Sequence, residues 1–207
     1  MALLGSNDYE YYIKEMGAKF KSPNVQWLEW YRQFCYYEKK WDKYYNQFLR
    51  IIKKNQNIPI QFVLWESCPG GMPFPHQNYV FDDFRFKNQI NGVTDKYLKN
   101  VCVKNHISWK NKEIGNIIED LLKNHILIID LYPTHGISLD STNRENLFNK
   151  IFDTYSIKKL EEIGNDLTNY FKNDIIFISN ELKIIGSKKN AIRKALKLNN
   201  IPILDVI

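Results

Sequence analysis

Cysteine is scarce in this chain, and so are proline and glycine outside one short segment. Cys35, Cys68 and Cys102 are odd in number, and no two of them have CxxC spacing. A disulfide framework and a structural zinc site are therefore both disfavoured, and a reducing compartment is expected. No apolar run approaches the roughly 20 residues of a membrane-spanning helix. The opening MALLGSNDYEYY has no basic stretch followed by an apolar one, so the sequence predicts no secretory leader and a soluble, cytoplasmic protein. There is no phosphate-binding glycine fingerprint and no HExxH-type spacing, so no cofactor and no metal is expected. Internal repeats and flexible linkers are missing as well.

What the chain does have is apolar content and positive charge. Hydrophobic residues make up 44% of its 207 residues and aromatics 14%, enough for one domain with a sizeable core. Many Asn and Lys residues lie between the apolar runs and read as solvated surface. The net charge of +6 favours an anionic partner such as nucleic acid, without demanding one.

Ser22-Pro23 is a helix-start signal, a capping hydroxyl before a proline. Val25, Leu28, Tyr31, Cys35, Tyr45, Phe48 and Ile52 then recur at roughly helical spacing, which predicts one long helix up to about Lys54. Trp27, Trp30, Tyr37 and Tyr44 fall off that stripe, so cover on more than one side is expected. Four short apolar runs read as buried strands: 58–65 (IPIQFVLW), 126–132 (ILIIDLY), 175–179 (IIFIS) and 201–207 (IPILDVI). Pro202 marks the fourth as an edge strand, or as one beginning there. Helical patterns lie between the runs, over 114–123, 144–152, 157–171 and 187–198. The alternation predicts an α/β fold with a short, four-stranded, mostly parallel sheet flanked by helices and preceded by a long N-terminal helix. Residues 1–55 are expected to form a helical segment packed on a core of residues 56–207, one structural domain overall.

In open α/β sheets, ligands bind beyond the carboxyl ends of the strands. After the first run comes Glu66-Ser67-Cys68-Pro69-Gly70-Gly71-Met72-Pro73-Phe74-Pro75-His76-Gln77-Asn78-Tyr79-Val80-Phe81. Three of the chain's seven prolines and two of its nine glycines fall within residues 69–75, which fixes a backbone shape there. Glu66 stands where an apolar strand stops, a place suited to a general base with a raised pKa; capping a turn is its plain structural role. Asp130 is a second acid at the matching end of the second run, followed by Tyr132, Pro133 and His135. Cys68 with His76, or Ser67 alone, would be a hydrolase nucleophile, but neither sits in a nucleophile-elbow pattern. His76, His135, Glu66 and Asp130 lack the spacing of a metal site. The 81–83 stretch (FDD) is expected to open the next helix. Beyond Gly186, Ser187, Lys188 and Lys189 begin a basic helix whose solvated face is its plain reading and whose first amides would suit a phosphate.

With these motifs in hand, the sequence resembles the uracil-DNA glycosylase superfamily. Glu66-Ser67-Cys68-Pro69-Gly70 is similar to that superfamily's first motif in variants beginning Glu-Ser-Pro-Pro. Asn78-Tyr79-Val80-Phe81 is similar to the segment bearing the stacking aromatic, and Asp130-Leu131-Tyr132-Pro133 to the second-strand motif. Two features depart from the pattern: Cys68 stands where several members have Asp or Asn, and no final histidine loop is recognisable after the fourth run. The resemblance implies a DNA glycosylase that flips a uracil or modified base and cleaves its N-glycosidic bond, with DNA as partner. It implies Glu66 and Asp130 as the carboxylates of the site. Phe74, Tyr79 or Phe81 would wall the base, and Ser67, Asn78, Asp130 and His135 would surround it. Ser187, Lys188 and Lys189 would hold DNA phosphate. Two other classes stay open: a DNA-binding or inhibitory module without catalysis, and a small-molecule hydrolase.

Overall fold

A computed structural model of the chain describes residues 23–55, 59–65, 80–81, 83, 85–90, 96–131, 149, 152–167, 175–178, 182–198 and 203–206. For 23–37, 65, 97, 154, 175–178, 182–187 and 203–206 it describes the backbone alone.

Helix α1 (Pro23–Lys54) opens on a proline, where a missing N–H costs no intrahelical bond. It closes with Lys53 and Lys54, cations at the negative end of the helix dipole. Glu38, Trp41, Tyr45, Phe48 and Ile52 recur at steps of three and four and are all buried, so they form one inward stripe. Tyr44 is buried beside them, and its burial widens the covered face.

Strands β1 (Gln61–Trp65), β2 (Ile126–Asp130), β3 (Ile175–Ile178) and β4 (Ile203–Val206) pair in the order β2-β1-β3-β4. Every neighbouring pair is parallel. The fold is thus α/β, with covered sheet faces: Phe62, Val63 and Leu64 of β1 and all five residues of β2 are buried. Parallel strands buried on both faces read as continuous apolar runs, because no face is left for polar residues. β4 begins just after Pro202 and lies at one edge of the sheet, where a missing N–H is tolerated.

The helices between the strands are α2 (Lys96–Lys104), α3 (Ile114–Lys123), α4 (Ile157–Leu167) and α5 (Leu182–Ala195). In α3 the buried residues are Ile114, Ile117, Ile118, Leu121 and Leu122, a stripe whose side chains each contribute about 1.5–3 kcal/mol of burial. The chain leaves α3 through Asn124 and His125, whose φ of 57° turns it sharply into β2. The His125 carbonyl then accepts from the Gln61 amide at 3.0 Å, just ahead of the β1–β2 register.

Several local expectations are corrected. Phe81 and Asp83 lie in a turn, and the next regular piece is a single 3₁₀ turn at Arg85–Lys87, not a helix opened by 81–83. The Asp83 carboxylate is held by Lys40 at 2.8 Å and Lys43 at 3.1 Å, and so ties this turn to α1. Helix α2 had no counterpart in the sequence reading. Of the helix expected at 144–152, Phe152 belongs instead to a π turn, Phe152–Ser156, that leads into α4, and the stretch before it lies largely outside the described residues. The basic helix starts at Leu182, five residues before Ser187. No described helix is long and apolar enough to cross a membrane.

Candidate active site at the carboxyl ends of β1 and β2

The β1–β2 register ends at the pair Trp65↔Asp130, so the two strands finish side by side. The residue that follows β1 is Glu66, which lies outside the described residues, as do Ser67, Phe74, Asn78, Tyr79 and His135. The same holds for Cys68 and His76.

Asp130 is 2% exposed and has a charged neighbourhood that the sequence reading missed. Lys159 of α4, also 2% exposed, points its ammonium at the end of β2. Its Nζ donates to the Asp130 carbonyl oxygen at 2.9 Å, to the Tyr155 hydroxyl at 3.2 Å and to Glu38 Oε2 at 3.4 Å. An ammonium has three donors, and three acceptors surround this one. It also sits 3.6 Å from the Trp41 ring centroid, where the negative face of the indole attracts a cation. One residue past β2, the Leu131 carbonyl accepts from the Ser156 hydroxyl. Helix α1, the π turn, α4 and the end of β2 therefore meet around one buried cation.

Glu38 is the second buried acid here, at 1% exposure. Burial pushes its carboxyl up to about 7, opposed by the attraction of Lys159 and reinforced by Asp42 and Asp130. Among the described residues, its Oε1 has no hydrogen-bond partner. Glu38 and Lys159 were legible in one respect. Glu38 is in phase with Trp41, Tyr45, Phe48 and Ile52, and Lys159 with Ile163 and Leu167 at steps of four. A charged residue in phase with an apolar stripe is carried into the core with it.

Phe81 is 2% exposed and packs on Tyr44, with ring centroids 4.5 Å apart and a 34° tilt. It is a core ring, which corrects its assignment as the base-stacking aromatic. Ser187 lies in the second turn of α5, past the four amides that lack helical partners, so the N-terminal phosphate site expected there is not formed. Lys188 pairs with Asp153 at 2.9 Å and lies 5.3 Å from the Phe152 ring centroid, and Lys189 is half-buried. Exposed cations are found instead on α1, at Lys39, Lys43, Arg50, Lys53 and Lys54. Among the described residues, no group of three or more His, Cys, Asp or Glu is placed to hold a metal ion.

Comparison with protein families, curated proteins and solved structures returns no match for this chain.

Proposed function

We propose that this chain is a DNA glycosylase that cleaves the N-glycosidic bond of a flipped uracil or modified base in DNA. The observation that carries the reading is the adjacency of the β1 and β2 carboxyl ends, with Asp130 finishing one strand and Glu66 following the other. Breaking an N-glycosidic bond builds positive charge on the sugar, and a carboxylate at such a place stabilises that charge or orients water. Glu66 is assigned that role, and Asp130 with Asn78 reads the base edge. Phe74 or Tyr79 supplies the stacking ring. The reading takes residues 56–207 as the core around the four-strand parallel sheet, with residues 1–55 as a helical segment packed on it. A net charge of +6 suits a polyanionic partner.

The test is incubation with duplexes carrying different altered bases, followed by alkaline cleavage. Strand breaks at the altered base, absent without protein, are the expected outcome. Intact strands for every base would sink the proposal.

The deep burial of Asp130 favours a second reading, a DNA-binding or inhibitory module without turnover. Such a module binds DNA with steep salt dependence, releases no base, and is unaffected by loss of Glu66.

A further inference from the structure

The exposed helix faces of this chain are not alike. Over residues 38–54, where its side chains are described, α1 exposes five cations, Lys39, Lys43, Arg50, Lys53 and Lys54. The other exposed residues there are two amides, Asn46 and Gln47, with no acid and no apolar side chain among them. Helix α4, by contrast, exposes Lys158 together with Glu161, Glu162 and Asp166. Residues 39, 43, 46, 50 and 53 follow at steps of four and three, so they share one face, opposite the stripe that covers β2. Lys39 with Lys43, and Arg50 with Lys54, are like charges four residues apart, a spacing at which they repel. Lys43 is answered by Asp83 at 3.1 Å. Among the described residues, Lys39, Arg50, Lys53 and Lys54 have no ion-pair partner.

This face has a fixed place relative to the sheet. Trp41 bonds the Ile128 carbonyl and Tyr44 the Ile126 carbonyl, so α1 runs antiparallel to β2. Lys39 therefore lies level with the carboxyl end of β2, and Lys54 lies beyond its amino end. From Lys39 to Lys54 the helix rises about 22 Å. One strand of duplex DNA passes about six phosphates over that length. We propose that the exposed face of α1 is a rail for the phosphate backbone of duplex DNA, holding it without reading its bases. Lys, Arg and amide side chains are the groups that make such contacts. An anionic membrane is the other polyanion of this size, but a helix that lies on one buries an apolar face among the lipids. The apolar face of α1 is packed in the core instead. The inference rests on the reading of DNA as partner, and not on catalysis.

Binding of an unmodified DNA duplex to the full chain, measured against salt concentration, tests the rail. Each phosphate contact adds about 0.9 to the slope of log affinity against log salt. Lys39→Gln, Arg50→Gln, Lys53→Gln and Lys54→Gln combined should lower that slope by about 3–4, and weaken binding about a hundredfold or more at about 0.1 M salt. Asp83→Asn, which frees Lys43 without touching α1, should tighten binding and steepen the slope by about one. Lys96→Gln, Lys99→Gln, Lys104→Gln and Lys110→Gln combined remove as many charges from the net +6 elsewhere on the exposed surface, and should cost much less affinity. Equal losses from the two quadruple variants would overturn the inference, leaving net charge alone as the cause. Binding of phosphatidylserine vesicles with none of the duplex would overturn it together with the reading of DNA as partner. Duplex binding that the α1 substitutions leave unchanged would overturn the rail while the DNA reading stands. If the α1 variant behaves as expected but no duplex loses an altered base, the glycosylase reading falls and the rail stands.

Discussion

The indole Nε1 of Trp41 donates to the carbonyl oxygen of Ile128 at 2.9 Å, joining residues 87 positions apart in sequence. β2 is an edge strand, and an uncovered edge offers unpaired N–H and C=O groups to any other strand. Here side chains take those groups. The Tyr44 hydroxyl accepts from the Ile128 amide and donates to the Ile126 carbonyl, each at 3.2 Å, and Lys159 serves the Asp130 carbonyl. Residues 126, 128 and 130 alternate along the strand, so their backbone groups all point outward from the sheet.

The first prediction concerns that edge. Tyr44→Phe keeps the ring against Phe81 but removes the hydroxyl, leaving a buried amide and a buried carbonyl without it. The expected loss is about 1–3 kcal/mol, the scale of unsatisfied buried polar groups. Urea unfolding measures the loss, and faster hydrogen exchange at the Ile128 amide identifies its place. Unchanged exchange there would show that the edge is covered by something other than Tyr44.

Stability should fall as pH rises across neutrality because of Glu38. Its folded value of about 7 lies above the ordinary 4.5, so between those values the native state holds a proton that the unfolded chain releases. Stability from this group is full below the lower value and is lost as pH rises toward the upper one. The change is on the order of 3 kcal/mol. Asp42 is shifted upward by partial burial and acts in the same sense. Asp83, lowered chiefly by Lys40, acts in the opposite sense, its contribution being lost only as pH falls through the acid range below that window. Urea midpoints measured at about pH 5 and about pH 8 read the slope, and Glu38→Gln should flatten it.

The α/β class was legible because strand and helix lengths differ and the apolar runs are continuous. Ile114 to Lys123 was read as a helix at the bounds it has, since its stripe is uninterrupted. The apolar-and-basic pattern marks α5 only from Ser187, five residues after its start at Leu182. α2 was missed because LKNVCVK offers only Leu98, Val101 and Cys102 as a buried face, a short signal among lysines. At the site, sequence position placed Asp130 at a strand end, but which helices converge on it depends on contacts distant in sequence, 29 positions from Lys159 to Asp130 and 87 from Trp41 to Ile128. The Lys159–Glu38 pair spans 121 positions. Phe81 was misassigned because a motif alone does not tell a core ring from a stacking ring.

Gly164 of α4 lies directly against the backbone at the end of α5. A Cβ there would lie 2.6 Å from the Ala195 carbonyl oxygen and 2.9 Å from the Leu196 Cα, both backbone atoms. Gly164→Ala should therefore destabilise by about 1–3 kcal/mol, although alanine is the better helix former by about 1 kcal/mol. A rise in the urea midpoint would show that the two helices can separate freely.

The Cys102 thiol should be inert in the folded protein. It is buried, and burial, followed by the nearby Asp120 charge, pushes its pKa up to about 11. The thiolate is the reacting form, so little exists at neutral pH. Peptide mapping after iodoacetamide should find Cys102 unmodified in buffer and modified in urea. Rapid native labelling would contradict its burial.

The last prediction concerns base release. Glu66→Gln is expected to lower single-turnover excision by about a hundredfold or more, the scale for a general base or an electrostatic stabiliser. DNA affinity should change little, because phosphate contacts from Lys and Arg dominate it. Asp130→Asn should weaken excision while keeping the backbone carbonyl that Lys159 holds, so its urea midpoint separates lost chemistry from lost structure. Phe81→Ala belongs to another class. Its ring packs on Tyr44 in the core, so the expected effect is about 3–5 kcal/mol of stability rather than selective loss of base capture. Excision, DNA binding and urea unfolding measured on the same preparations tell these apart. A folded Glu66→Gln protein that excises at the parental rate would remove Glu66 from the mechanism and leave Asp130 as the carboxylate to account for.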